Sequence, residues 1–308
     1  MLFDKFQRVP LIERPTPLVP CQMFDDVLIK REDVTAPIYG GNKVRNLEFV
    51  LGAAKQQNAN SIYTLIPTGS NFSAAIATHG VRHGFDVRLF QMTLAQNEQI
   101  RKHESFALAQ GAVISKHDGL TAPALALKDA VLFGLTHRQS SFHVTPGASS
   151  VLGAMGHARA LFEIPEDAVP DYIFVGAGTC GTTAGLLAGI KLRNLKTRVI
   201  AVRCAGRSVC NGMRIERLGN KLLRLLESHQ RISSQDYNLV EGSGRYGHAP
   251  EGFDRIQKSY LDANELELDS TYTSKVILKM QEMKTIWKGG TAIYWHTFSP
   301  LANRWGQS

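Results

Sequence analysis

Cysteine is scarce: there are four in 308 residues, at positions 21, 180, 204 and 210, and no two form a Cys-x-x-Cys pair. A disulfide framework is not expected in a chain of this length, and no Cys/His cluster has the spacing of a zinc site. The four read as buried or semi-exposed free thiols of a reducing compartment. Also missing is any run of roughly 18 apolar residues, which excludes a membrane-spanning helix. The opening MLFDKFQRVP lacks the apolar stretch of a cleavable leader, so the cytoplasm is the expected location. No run of five basic residues occurs and no aromatic-interleaved basic stripe, although Lys plus Arg (35) exceed Asp plus Glu (27) and leave a net charge of +8. With the cations scattered, a nucleic-acid partner is not expected; a basic surface can instead collect an anionic small substrate. Repeats and low-complexity linkers are absent as well.

What remains is ordinary globular composition, 44% hydrophobic and 20% charged. At roughly 150 residues per domain the length suggests about two domains. Prolines 10, 15, 17 and 20 make the opening extended or turning. Beyond Gly40-Gly41 helices and strands alternate. Helices are expected at 42–57, 71–84, 97–110, 121–135, 151–164 and 181–193, and strands at 61–66, 86–92, 112–117, 141–146, 171–176 and 198–204. Continuous apolar strands between helices of this length predict an α/β fold with parallel sheets. Segment 207–235 reads as helical and charged, and 236–253 as a Gly/Tyr-rich loop. A helix over 274–289 and a strand over 291–296 close the chain.

Three loop–helix joins carry chemistry. In VGAGTCGTTAGLLAGIK, residues 175–191, a buried strand runs into Gly178-Thr179-Cys180-Gly181-Thr182 and then a helix. Small residues there bring backbone amides close to a ligand, and a helix start attracts anions. The pattern points to a phosphate, but a tight turn with no ligand would look similar. No P-loop lysine is present. Gly176, Gly178 and Gly181 do have dinucleotide-fold spacing, yet Arg203 occupies the next strand end, where that fold needs an acid. This counts against a nucleotide-dependent oxidoreductase. In YGGNKVRNLEFVLGAA, residues 39–54, Asn42 is a good N-cap and Lys43 falls in the first helical turn, against the helix dipole. That is a poor place for a structural lysine and a useful one for an amine that must react with a carbonyl, although an exposed lysine remains an equal reading. In PTGSNFSAAIATHG, residues 67–80, Ser70 and Asn71 are placed either to cap a helix or to direct polar groups at a carboxylate. Tyr246 and Tyr272 lie in loops, where packing alone would explain each.

Together the segments resemble the fold type II (tryptophan-synthase-β-like) pyridoxal-phosphate enzymes, and within them the 1-aminocyclopropane-1-carboxylate deaminase / D-cysteine desulfhydrase branch. RPTPL with LIKREDVTAPIYGGNKVRNLEF carries the most specific likeness. VTPGASSVLGAMGHARALFEI resembles the family's Pro-Gly-Gly-Ser…Gly…Gly-Tyr segment, GTCGTTAGLLAG its phosphate loop, and YTSK its Tyr-Thr-Gly-Lys. The resemblance implies two three-layer α/β/α domains with mostly parallel open sheets: a large cofactor-binding domain of residues 1–45 and 154–308 and an inserted small domain of 46–153, with pyridoxal 5'-phosphate in the cleft between them. It implies that Lys43 forms the Schiff base and shuttles protons, that Asn71 bonds the ring oxygen, and that the backbone of Gly178, Thr179, Cys180, Gly181 and Thr182 holds the phosphate. Tyr272 would stack on the ring and Thr273 would face its nitrogen, a neutral partner that suits elimination better than transamination. Ser70 would bind the substrate carboxylate or act as a base, and Tyr246 would be a second active-site tyrosine.

The implied activity is D-cysteine desulfhydrase-like β-elimination of a small amino acid to a 2-oxo acid and ammonia, in a homodimer. Ring opening as in the deaminase, β-replacement, racemisation and a non-catalytic relative that keeps the cofactor are the alternatives. Five positions depart from the family pattern. Phe72 follows Ser-Asn where Gln or His is usual. Asn46 replaces a second lysine. Phe298-Ser299 replace Gly-Gly after His296-Thr297, and Thr273 stands where the deaminase has a glutamate, as in the desulfhydrase branch.

Overall fold

Along the buried strands, successive residues enter opposite cores. Ile173 and Val175 face one and Phe174 the other; Val199 and Ala201 alternate likewise with Ile200 and Val202, and Ile293 and Trp295 with Tyr294. A period of two with both faces apolar is the pattern of a sheet covered by helices on each side. The computed structural model, which describes residues 2–93, 98–287 and 289–304, contains two sheets. Its elements in chain order are β1 (Leu18–Pro20), β2 (Val27–Arg31), α1 (Lys43–Gln56), β3 (Ser61–Pro67), α2 (Asn71–Arg82), β4 (Asp86–Met92), α3 (Glu98–Ala109), β5 (Val113–His117), α4 (Ala122–Thr136) and β6 (Ser141–His143). There follow α5 (Val151–Ala160), β7 (Tyr172–Ala177), α6 (Gly181–Leu192), β8 (Arg198–Arg203), α7 (Gly212–Leu225), β9 (Tyr237–Glu241), α8 (Phe253–Asn264), α9 (Thr273–Met283) and β10 (Ala292–His296).

The larger sheet has the order β1-β2-β10-β7-β8-β9 and is parallel except for β1. Helices α5, α6 and α7 cover one face, α8 and α9 the other. The smaller sheet, β5-β4-β3-β6, is wholly parallel. Residues of α1, α2 and α3 pack on Ile62, Val87 and Leu89 at one of its faces. Phe133 of α4 meets Tyr63 and Phe90 at the other, with ring centroids 5.3 and 5.8 Å away. The expected α/β fold with mostly parallel open sheets is therefore present.

Five elements differ from the sequence reading. β1 and β2 lie in the opening that prolines marked as extended; Pro20 is tolerated because β1 is an edge strand. β9 lies inside the segment read as a loop, at the sheet's other edge. α8 follows the Gly/Pro-rich stretch that hid its apolar positions, Ile256 and Tyr260. The helical reading of 207–235 contracts to α7, which the Asn211 side chain starts by accepting from the Arg214 amide at 2.9 Å. Two expected helices begin or run onto residues outside the described ones, Asn97 and Lys288.

One packing feature positions the site. Helices α1, α5 and α6 approach to near backbone contact: a Cβ on Gly156 would stand 2.0 Å from the Arg45 carbonyl oxygen, and one on Gly185 2.2 Å from that of Ala154. No side chain larger than hydrogen fits at these crossings. Asn46, His157 and Thr182, each on a different helix, are thereby brought together.

Candidate active site

The chemistry-bearing joins lie at the carboxyl ends of strands, where open α/β sheets bind ligands. β7 ends at Ala177 and passes through Gly178, Thr179 and Cys180 into α6. Cys180 takes a φ of +70° at the start of α6, whose first amides have no helical partner. β3 ends at Pro67, and Ser70 caps α2, its Oγ accepting from the Ser73 amide at 3.3 Å. Gly41, at φ +94°, donates its amide to the Glu32 carbonyl at 2.7 Å and turns the chain into α1, where Lys43 is the first residue.

These ends enclose two adjoining cavities. The first is lined by Lys43, Asn71, Tyr272 and the whole turn Gly178, Thr179, Cys180, Gly181 and Thr182, together with Asn42, Thr183 and Thr297. The second is lined by Ser70, Tyr246, Gly69, Thr271 and, shared with the first, Asn71 and Tyr272. A larger groove bordered by the 31–37 loop holds the ion pairs of Arg31 with Asp33 and Arg304 with Glu267. The two smaller cavities are where unspent chemistry gathers.

Burial pulls the Lys43 amine from its ordinary 10.5 down to about 8, against a weaker upward pull from nearby Cys180. At neutral pH an appreciable fraction is uncharged and nucleophilic. Burial raises Tyr272 well above its usual value, Tyr246 beside it adding to the rise, and the two rings meet edge to face at 6.1 Å. Tyr246 is also raised by burial, with a hydrogen bond from Tyr272 opposing the shift. Cys180 is lowered by its neighbour Cys210, and all four cysteines are free and buried.

The structure gathers every expected site residue except one. Thr273 lines neither cavity. It opens α9, and its hydroxyl donates to an Asp269 carboxylate oxygen at 2.6 Å while accepting from the Asp269 amide at 2.6 Å. Asp269 also takes the Thr271, Tyr272 and Thr273 amides, so it caps the helix and consumes the hydroxyl that was expected to face a ring nitrogen. Phe72 packs in the core beside the smaller sheet and is absent from both linings, so its bulk does not reshape them. Sequence reasoning passed over Asn42 and Thr297. Asn42 holds the N-cap position, but its Nδ2 donates to Thr182 Oγ1 at 2.9 Å instead of capping. Thr297 borders the first cavity and was visible only as part of the His296-Thr297 signature.

A buried amine facing an amide-rich turn and an aromatic ring suits an aldehyde that carries a ring and a phosphate. The cradle is bare: a Cβ on Gly178 would stand 2.9 Å from the Tyr272 ring, and one on Gly147 (φ +66°) 2.7 Å from Thr179 Oγ1 and 3.6 Å from Lys43 Nζ. The profile of the pyridoxal-phosphate dependent enzymes matches residues 9–241. The chain belongs to that family. As a pyridoxal-phosphate dependent enzyme it is 30% identical over 307 residues to nocardicin C-9' epimerase of Nocardia uniformis subsp. tsuyamanensis, covering 95% of this chain and 92% of that one. A Pyrococcus horikoshii protein provisionally named a 1-aminocyclopropane-1-carboxylate deaminase is 25% identical, covering 92% of this chain and 88% of its own. A solved homologue of that deaminase superposes with a TM-score of 0.86 at 26% identity, covering 96% of this chain and 93% of that one. O-ureido-L-serine synthase, at a TM-score of 0.68 and 13% identity over 94% of this chain and 90% of its own, shares the fold. This pyridoxal-phosphate dependent enzyme is of fold type II, in the branch that its opening motif announced.

One expected result follows from the amine. Cofactor-free protein should capture pyridoxal phosphate faster as pH rises to about 8 and then level off. A lysine with an ordinary value would keep accelerating about tenfold per pH unit toward 10. Because the folded-state value lies below the unfolded one, the folded chain binds fewer protons between about 8 and 10.5, and cofactor-free stability should rise with pH across that window. Stopped-flow absorbance and pH-dependent melting read the two effects.

Proposed function

We propose that the enzyme removes the Cα proton of a small amino acid and expels its β-substituent, releasing a 2-oxo acid and ammonia, with D-cysteine as the first substrate to try. One observation carries this reading: the lowered Lys43 amine shares a cavity with the 178–182 turn and Tyr272, and that cavity opens onto a second one holding Ser70 and Tyr246. When bound, pyridoxal phosphate supplies an aldehyde that captures the substrate amine and a ring that draws electrons from Cα. The turn and the first amides of α6 would receive the phosphate. Asn71, common to both cavities, would orient the ring, with Tyr272 against it. Lys43 would hold the cofactor, and its Nζ, once free, is the group placed to take the Cα proton.

Ser70 Oγ accepts from the Ser73 amide, so its own proton is available to a substrate carboxylate. Tyr246, hydrogen-bonded to Tyr272, faces the leaving group. The β-substituent departs with the bonding electrons, and hydrolysis of the resulting enamine gives the 2-oxo acid and ammonia. Ring opening of 1-aminocyclopropane-1-carboxylate would draw on the same groups, and the relatives in that branch support it equally. A second reading, return of the proton to the other face of Cα, is favoured by the likeness to an epimerase.

A panel of D- and L-amino acids, followed for ammonia, 2-oxo acid and solvent deuterium at Cα, separates the readings. Equal amounts of ammonia and oxo acid are expected. Deuterium with inverted configuration and no ammonia would mean epimerisation, and no turnover of any member would leave a cofactor-binding relative. Ser70→Ala should raise KM about tenfold or more through loss of a charge-assisted bond, with a smaller change in kcat.

We infer in addition that residues 46–153 form the inserted domain, which is supported by β3 to β6 pairing only with one another. A homodimer is proposed from α4, where Leu127, Val131 and Leu135 are exposed by 51%, 51% and 69%; sedimentation measures it. The four free thiols support a reducing, cytoplasmic setting, and among the described residues no helix is long and apolar enough to cross a membrane.

A further inference from the structure

Beneath the turn, three helices share a polar contact that the site's chemistry leaves unused. His157 of α5 is fully buried and places Nε2 2.9 Å from Asn46 Oδ1 on α1 and 3.2 Å from Thr182 Oγ1 on α6. The Asn46 amide has only one sensible orientation, because its Nδ2 faces the Ala148 carbonyl at 3.4 Å and the oxygen must face His157. His157 therefore donates from Nε2, and its proton sits there. Among the described residues Nδ1 has no partner, and it is buried, so it is a bare acceptor; a second N–H at that position would be stranded.

The proton inventory then reaches Thr182. A hydroxyl has one proton and two lone pairs. Its oxygen accepts from Asn42 Nδ2 at 2.9 Å and faces the His157 N–H. Neither neighbour can accept, so the hydroxyl proton has no use behind the turn. Thr182 lines the first cavity, and that is the direction left for it.

We propose that His157 is a positioning residue for the cofactor's phosphate: with its proton held on Nε2 by Asn46, it joins Asn42 in filling the acceptor side of Thr182 and turns the Thr182 hydroxyl proton onto the anion. This rests on the placement of the phosphate at the 178–182 turn. Asn46, uncharged where the resembled branch has a lysine, becomes the group that fixes the histidine tautomer. Burial, with Lys43 and Arg45 nearby, holds His157 well below its ordinary value, so it stays neutral over the working pH range. Charging it would force a proton onto the stranded Nδ1.

The test compares dissociation constants for pyridoxal phosphate and for pyridoxal, which has the aldehyde and ring but no phosphate, in protein stripped of its native cofactor. Thr182→Val should cut the preference for the phosphorylated form about tenfold, the loss of one hydrogen bond to a charged group. His157→Phe should cut it by a comparable factor, His157→Gln, which keeps a side-chain N–H, should recover most of it, and the His157→Phe/Thr182→Val double variant should match Thr182→Val alone. If His157→Phe weakens both ligands equally, or leaves the preference intact while Thr182→Val lowers it, the histidine only packs and the inference is overturned. If neither variant changes the preference, the phosphate does not rest on this turn and the underlying placement falls with it. Should His157→Phe fail to fold, long-range 1H–15N spectra of the histidine-labelled holoprotein decide, with the signal assigned by its loss in His157→Gln: a proton on Nε2 is expected, and one on Nδ1 overturns the proposal.

Discussion

Lys43→Ala should lower turnover by about 10³-fold or more and abolish the adduct that borohydride fixes between cofactor and protein. Two functions vanish together. The amine that would hold the aldehyde is gone, and so is the base that would take the Cα proton; one positioned proton-transfer group alone is worth about 10²–10⁴-fold. Folding should not suffer. A cation in the first turn of α1 opposes the helix dipole, and burial has already pulled this amine down to about 8, which marks a site where charge is costly. The melting temperature of the cofactor-free variant is therefore expected to equal or exceed that of cofactor-free wild type at pH 7. Undiminished turnover of the best panel substrate would remove Lys43 from the mechanism. A large fall in melting temperature would show that the lysine is structural.

That this lysine could be singled out from sequence, while its surroundings could not, has a physical basis. The Gly-Gly turn, the first-turn position and the strand–helix alternation are local properties, visible within a dozen residues. The turn at 178–182 is equally local, because small residues at a strand end restrict what can follow. Long-range partners leave no such trace. Lys30 lies buried in β2 with Nζ 2.6 Å from the Thr16 carbonyl and 2.8 Å from Glu163, a carboxylate 133 positions away. Asn42 has the sequence of a cap, but the competing acceptor is 140 positions away on α6. The YTSK motif points Thr273 at a cofactor, while Asp269, four residues earlier, takes the hydroxyl. Phe72 adjoins Asn71 in sequence, but one helical step rotates its side chain by about 100° and carries it into the core. β9 escaped notice because edge strands need not alternate cleanly, and β2 because a lysine and an arginine end it.

Arg45→Met should cost about 3–5 kcal/mol of folding stability, a loss far above that of an average core substitution. Arg45 lies two residues past Lys43 and is wholly buried. Its guanidinium bonds Glu32 through Nε and through Nη2 at 2.7 Å, Glu163 at 2.7 and 2.8 Å, and Thr16 Oγ1 at 3.0 Å. With Lys30, two buried cations meet two carboxylates, so the cluster is neutral and each charge is solvated by the others. Removing one member strands Glu32, which is fully buried and left with the Thr16 hydroxyl. The damage should reach the lysine turn as well, because the Glu32 carbonyl is what the Gly41 amide bonds. Cofactor retention should therefore weaken along with stability.

Acid titration adds a signature. Burial raises the Glu163 carboxyl, but Arg45 and Lys30 outweigh it and bring it below its ordinary 4.5. Wild-type protein holds that contribution above 4.5 and loses it as pH falls through the lower folded value. In Arg45→Met the folded value moves back up, so this part of the acid dependence should shrink. Denaturant unfolding at pH 7 and at pH 4 reads both effects. A variant within about 1 kcal/mol of wild type at pH 7, a range typical of surface pairs, would mean that solvent reaches these charges and that the turn before Lys43 is held by something else.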